Sequence, residues 1–179
     1  TSWVLNTPTG ANAATNNIWT ISDDEGGVLP PGCGTANNGD ETMHITCTSF
    51  GCGLLLNGAL YNATQQSNVR TETPNISTIG RSNLELDFDF ISLGDGLLDN
   101  CQVVYSINGG GTWLVLDPSI KTVNCITGQG QWTARNYALP ATCNNIPNLR
   151  IGFEWTNNAD NVGSDPSIAL NNVLVSALD

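Results

Sequence analysis

The stretch NLELDFDFI, residues 83–91, decides how the rest of the chain is read. Leu84, Leu86, Phe88 and Phe90 alternate with Glu85, Asp87 and Asp89, the period-two pattern of a strand with one apolar and one acidic face. A register slip of one residue would bury three carboxylates, so the facing of this strand is strongly fixed. Such a strand needs a sheet around it, and β-prone runs recur along the chain. They are NIWTIS (17–22), TMHITC (42–47), CQVVYSI (101–107), TWLVLD (112–117), QWTARNYAL (131–139), LRIGFEWT (149–156) and SIALNNVLVS (167–176). Weaker runs lie at WVL (3–5) and GLLLNGALY (53–61). PPG at 30–32, three Asn-Gly pairs, GDG at 94–96 and Pro140, Pro147 and Pro166 separate them. No window of helical length carries a 3.6-residue apolar period. The expectation is an all-β antiparallel sandwich, one domain over residues 1–179, with no internal repeat or linker.

Composition narrows the function. The net charge is −11 with only five basic residues, too few for a phosphate-tracking stripe, which excludes nucleic acid as a partner. An anionic membrane surface is disfavoured for the same reason, and no apolar run is long enough to insert. Cations are the natural partners of this surface. Six cysteines (Cys33, Cys47, Cys52, Cys101, Cys125 and Cys143) accompany a single histidine and no C-x-x-C, which leaves zinc without ligands and favours disulfides. Cys47–Cys52, Cys125–Cys143 and Cys33–Cys101 are the expected pairs, and they place the chain outside the cell or at its surface. Without a leader or initiating methionine, the chain reads as a processed form or an excised module.

SINGGGTW (106–113) joins two strands, so its glycines make a hairpin. A phosphate cradle would need a helix N-terminus behind it, or Gly-Lys-Ser/Thr. Asn108 is expected to fold its amide onto the loop backbone, glycines to supply positive φ, and Trp113 to plug the turn with its N–H partnered. The spacing Ser-x-Asn-x-Gly-x-Thr-Trp resembles the Asp-box hairpin of sialidases and other secreted β-proteins, where its role is structural. Of the remaining aromatics, Trp19 and Trp155 fall in strand patterns and read as core. Trp3, Trp132, Tyr61 and Tyr137 are the candidates for stacking on a sugar. His44, on a strand and without a G-x-S-x-G partner, reads as a sheet residue rather than a general base.

Taken together, WVLNTPTGANAATNNIWTISDDEGG, GCGTANNGDETMHIT, NLELDFDF, SINGGGTW and LRIGFEWTNNADNVGSDPSIALNNVLVS resemble the jelly-roll modules of secreted surface proteins of Bacteroidota exported by the type IX system. More distantly they resemble MAM and carbohydrate-binding-module jelly rolls. That likeness implies a jelly-roll sandwich and a structural Ca²⁺, whose ligands would fall at Asp23, Asp24, Glu25, Asp40 and Asn172. Asn171-Asn172 stands where Asp-Asp is usual, which weakens the ligand set. NNADNVGSD (157–165) is a second oxygen-rich loop, without EF-hand spacing. ELDFDF resembles the Glu-x-Asp-x-Glu strand of laminarinase-like glycosidases, with Asp89 in place of the second glutamate. Retaining hydrolysis depends on carboxyls about 5–5.5 Å apart, and the shorter side chain reaches less far. Three functions follow as expectations. The first is a non-catalytic surface module for adhesion or glycan binding. The second is a structural subunit of a filament, a homo-polymer held by its neighbours. The third and weakest is a glycoside hydrolase using Glu85, Asp87 and Asp89.

Overall fold

The computed structural model describes residues 2–10, 16–27, 32–33, 39–48, 58–126 and 129–178. Twelve strands appear among them: β1 (Val4–Pro8), β2 (Asn17–Ser22), β3 (Gly32–Cys33), β4 (Thr42–Cys47), β5 (Ser67–Glu72) and β6 (Leu84–Ile91), then β7 (Asn100–Ser106), β8 (Leu114–Asp117), β9 (Asn124–Ile126), β10 (Gln129–Ala138), β11 (Arg150–Asn157) and β12 (Ala169–Ala177). The helical element among the described residues is one 3₁₀ turn, Ala141–Cys143. A five-stranded sheet has the order β1-β5-β11-β7-β8, and a seven-stranded sheet runs β2-β4-β12-β6-β10-β3, with β9 paired to β10. Every pairing is antiparallel. The chain changes sheet at the β4–β5, β5–β6, β6–β7, β8–β9, β10–β11 and β11–β12 connections, the wrapping of a jelly roll.

β6 lies between β12 and β10 and faces as its sequence requires. Leu84, Leu86, Phe88 and Phe90 are buried between the sheets, while Glu85, Asp87 and Asp89 look outward. Burial of each large side chain is worth about 1.5–3 kcal/mol. Phe88 meets Phe153 of β11 edge-on at 5.1 Å, which ties one sheet to the other. Trp19 and Trp155 are core as expected, and the indole N–H of Trp19 donates to Val69 O at 3.2 Å. A second, smaller core lies on the outward face of the seven-stranded sheet. There Ile91, Trp132 and Ala169 are covered by Ala59, and His44 of β4, paired with Ala169, is fully buried beside them.

β5 (SNVRTE) was not among the expected strands, because Val69 is its sole aliphatic residue. It forms through an ion-pair network on the outer face of the five-stranded sheet. Arg70 Nε donates to Glu72 at 2.9 Å, Arg70 Nη1 to Glu154 at 3.3 Å, and Arg150 Nη1 to Glu72 at 2.8 Å. Trp113 lies over the Arg70 guanidinium, 3.9 Å from ring centroid to Cζ, and donates its N–H to Gly110 O at 3.1 Å. The hairpin holds as expected: Asn108 Oδ1 accepts the Thr112 N–H at 2.9 Å, and Gly109 and Gly110 have φ of 72° and 94°. Of the weak run GLLLNGALY, residues 53–57 lie outside the described residues, and 58–61 form no strand.

The cysteine pairing differs from expectation. β3 and β9 both lie against the start of β10, which brings Cys33 to Cys125 with Cα atoms 5.6 Å apart, and these two form a disulfide. Cys143 follows the far end of β10, separated from Cys125 by roughly 30 Å of strand. Cys101 points between the sheets, away from the edge that carries Cys33. Cys101 and Cys143 are therefore buried free thiols. Burial pushes the Cys101 thiol upward and that of Cys143 up to about 11. Cys47 is disulfide-bonded, and Cys52 lies outside the described residues.

Two outcomes check this packing. A Cβ at Gly152 would stand 2.8 Å from Arg70 Cδ and 2.9 Å from Trp113 Cζ3, so Gly152→Val should cost about 1–3 kcal/mol in denaturant unfolding. In the native protein Ellman's reagent should find no reactive thiol, and after denaturation without reductant it should find Cys101 and Cys143.

Candidate functional site

The residues singled out from sequence do not form one site. Trp3 packs against Phe153 and lines a shallow cleft of about 200 Å³ with Ile21 and Glu41. Trp132 is 1% exposed in the smaller core. Tyr137 stacks on Phe88 and donates its hydroxyl to Asp117 Oδ2 at 2.5 Å. Tyr61 packs edge-on against Trp155 and donates to Asp99 Oδ2 at 2.6 Å. A shared aromatic platform is ruled out, because three of the four are held by the core or by buried carboxylates.

The expected calcium ligands also separate. Asp23 is exposed, Asp24 accepts from Ser22 Oγ at 2.9 Å, and Glu25 accepts the Ala59 N–H at 3.2 Å. Asp40 accepts from Asn171 Nδ2 at 2.9 Å, beside Gly27, where a Cβ would collide with both side chains. A bulge in β12 between Asn171 and Leu174 gives Asn172 a φ of 53° and turns its amide to Asp89, 2.8 Å away. Asn171, not Asn172, is thus the residue that meets Asp40. As placed, the five do not close into one oxygen shell, and no three His, Cys, Asp or Glu among the described residues converge on a metal position.

The outward acids of β6 are bridged by amides. Asn136 Nδ2 donates to Asp87 Oδ1 at 2.7 Å and to Glu85 Oε2 at 3.1 Å, and Asn172 serves Asp89.

The largest cleft, about 590 Å³, opens at one end of the sandwich between the β6–β7, β8–β9 and β11–β12 loops. Its frame is rigid. Gly94 and Ser164 exchange backbone hydrogen bonds at 2.8 and 3.1 Å, Leu93 N donates to Pro166 O, and Thr122 N to Ser92 O. Behind it, buried Asp99 accepts from Tyr61 OH and from Asn158 N at 3.1 Å, and Asp165 Oδ1 accepts from Tyr61 N at 3.1 Å. Lys121 reaches in from the β8–β9 loop and donates to Asp99 O at 2.7 Å. Asn124, Ser164 and Asp165 complete the polar wall. Exposed aliphatics stand on the same loops: Leu97 (71%), Leu98 (54%), Val123 (64%) and Val162 (54%). A polar cleft with an apolar rim is a usual form for a binding site.

Electrostatics mark this end as well. Burial lifts the Asp165 carboxyl to about 6 and raises those of Asp99 and Glu25. Burial lowers the Lys121 ammonium to about 8, against the pull of Asp99 and Asp95. Perturbed groups gathered at a cleft are a functional signature. On the covered face nearby, burial lowers His44 to about 4; its Nδ1 shares a 3.0 Å hydrogen bond with Thr42 Oγ1, and its Nε2 has no partner among the described residues. Sequence reasoning missed this cleft. Its traces were the GDG turn, the oxygen-rich loop 157–165 and a single lysine, which lie far apart along the chain.

No family model matches the chain, and no curated protein matches it in sequence. Three solved structures resemble it in fold. The CBM27-1 module of Caldicellulosiruptor saccharolyticus, solved in complex with mannohexaose, is 12% identical, with 97% of this chain and 96% of that one covered and a TM-score of 0.47. The K1 cleaved adhesin domain of Lys-gingipain from Porphyromonas gingivalis W83 is 15% identical, with both chains covered to 100% and a TM-score of 0.45. The enzymatically active domain of tailspike protein 4 of bacteriophage CBA120 is 12% identical, with a TM-score of 0.45; the match covers 98% of this chain and 19% of the phage chain. At such identities the likeness is one of fold.

The raised Asp165 carboxyl has a stability consequence with a definite sign. Between about pH 4 and 6 the folded state holds a proton that the unfolded state releases, so Asp165 favours folding at the acid end and opposes it above 6. His44 acts the opposite way: stability is lost as pH falls from 6.5 towards 4, where the unfolded imidazole protonates first. Asp165→Asn should therefore raise the Tm by a few degrees at pH 7.5, with the gain over wild type closing as pH falls through 6 to 4. A gain independent of pH would assign the effect to something other than the carboxyl charge.

Proposed function

We propose that this chain is a non-catalytic module of an extracellular or cell-surface protein and that it binds glycan at the end-loop cleft. The observation that carries this reading is the cleft's composition. A wall of hydrogen-bonding groups on a backbone-fixed frame stands beside four exposed aliphatic side chains, which suits a ligand with hydroxyls on its edges and C–H groups on its faces. The Cys33–Cys125 disulfide supports an oxidising location. The amide-bridged acids of β6 are read as a solvated face rather than a hydrolytic pair. The resemblance to exported surface modules of Bacteroidota, Asp-box hairpin included, belongs to the same proposal.

Assembly is the second reading, supported by one feature. β8 ends the five-stranded sheet, and its Leu114 and Val115 are 45% and 55% exposed, an edge suited to pairing with another chain. Negative-stain microscopy and light scattering decide it: monodisperse monomers at high concentration would remove the filament.

For glycan binding, an array of plant, algal and host oligosaccharides should give saturable binding in the micromolar to millimolar range. Asn124→Ala should weaken it, while Trp132→Ala should lower stability instead. An array flat at millimolar ligand would remove the glycan reading.

A further inference from the structure

The chain contains one lysine, Lys121, and it stands in the wall of the cleft. Its placement is unusual for the cation of a protein carrying −11. Among the described residues no carboxylate lies within 4.0 Å of its ammonium, which rests instead on the carbonyl of Asp99 at 2.7 Å. The Asp99 side chain, the nearest natural partner, is already committed to the Tyr61 hydroxyl and the Asn158 N–H. Arg70 and Arg150 spend their charge on glutamates at the opposite sheet, and Arg135 lies 5.5 Å from the ring centroid of Phe90. The lysine's seat is shaped for it. Gly94 has a φ of 64°, and a Cβ there would run into the Asp99 carbonyl and stand 2.9 Å from Nζ.

An ammonium has three donors and no acceptor, so at least two N–H groups remain beyond the bond to Asp99 O. Across the same cleft Asp165 supplies the complement. Its Oδ1 accepts from Tyr61 N, and its Oδ2 has no hydrogen-bond partner among the described residues. The cleft thus offers one unspent donor group and one unspent acceptor, both half-buried.

We propose that Lys121 and Asp165 form the polar contact pair of this cleft, and that they take a neutral saccharide by two neighbouring hydroxyls, one accepting from Lys121 Nζ and the other donating to Asp165. The inference rests on the glycan reading and deepens it. A hydroxyl both donates and accepts, so adjacent ring hydroxyls satisfy both groups at once. A uronic acid is disfavoured, because Asp95, Asp99, Asp160 and Asp165 surround the single cation. The charge-assisted bonds carry affinity, and Leu97, Leu98, Val123 and Val162 supply the apolar rim.

The test uses gluco-, manno- and xylohexaose as neutral probes and hexagalacturonate as the acidic one, with Kd measured by calorimetry on wild type, Lys121→Met, Lys121→Arg and Asp165→Asn. Because the chain has one lysine, reductive ¹³C-methylation of wild type adds one side-chain reporter, beside that of the α-amine. The expected result is binding of at least one neutral hexaose and a shift of the Lys121 methyl signal on saturation. Lys121→Met and Asp165→Asn should each lose about tenfold or more in affinity, and Lys121→Arg should lose less. Neutral binding with an unmoved reporter and unchanged variants would overturn the contact pair and leave the glycan reading standing. Preference for hexagalacturonate would overturn the neutral class. Absence of binding by every probe and by the wider array would remove both.

Discussion

Phe88 standing edge-on to Phe153 is the contact on which the two sheets depend. It sits at the middle of β6, itself in the interior of the seven-stranded sheet, and faces the middle of β11 in the other. Leu86 and Phe90 on one side, and Ile151 and Trp155 on the other, extend the contact along both strands. Because β6 alternates strictly, its seating there commits Glu85, Asp87 and Asp89 to the far face. The β12 and β10 registers are then fixed against it, and with them the ends of the loops that frame the cleft.

Much of this was legible from alternation. NIWTIS and TMHITC match β2 and β4 residue for residue, and β6 begins one residue inside its predicted run. β5 was illegible for a physical reason. Its Arg70 and Glu72 are buried by an ion-pair network whose other members, Arg150 and Glu154, are about eighty positions away, and by Trp113. Local pattern does not reveal a strand whose burial is arranged by distant charges. Trp132 shows the converse error. It shares strand parity with the exposed Ala134 and Asn136, yet a segment near Ala59 crosses over it and closes it from solvent. The cysteines failed for the same reason: β10 separates the pair that sequence proximity favoured and joins one that lies 92 residues apart.

The distribution of positive charge tells a related story. Arg70 and Arg150 stitch the five-stranded sheet, while Lys121 is set among carboxylates without pairing to one of them. Burying an ammonium part-way without an ion pair works against stability, as its lowered pKa records. The lifted pKa of Asp165 on the same wall records a similar cost for the opposite charge. Two opposed charges kept apart at a rigid, open cleft concentrate the molecule's unsatisfied polarity at one end of an otherwise well-satisfied sandwich.

The Cys33–Cys125 bridge has a further consequence for a protein exposed to hostile surroundings. It closes a ring of chain that contains β4 through β8, both edges of that ring being fastened beside β10. A peptidase that severed one exposed turn within the ring would produce two polypeptides still joined as a single molecule. Nicking and disassembly are thereby uncoupled, and the cut ends would part only after reductant opened the sulfur bond.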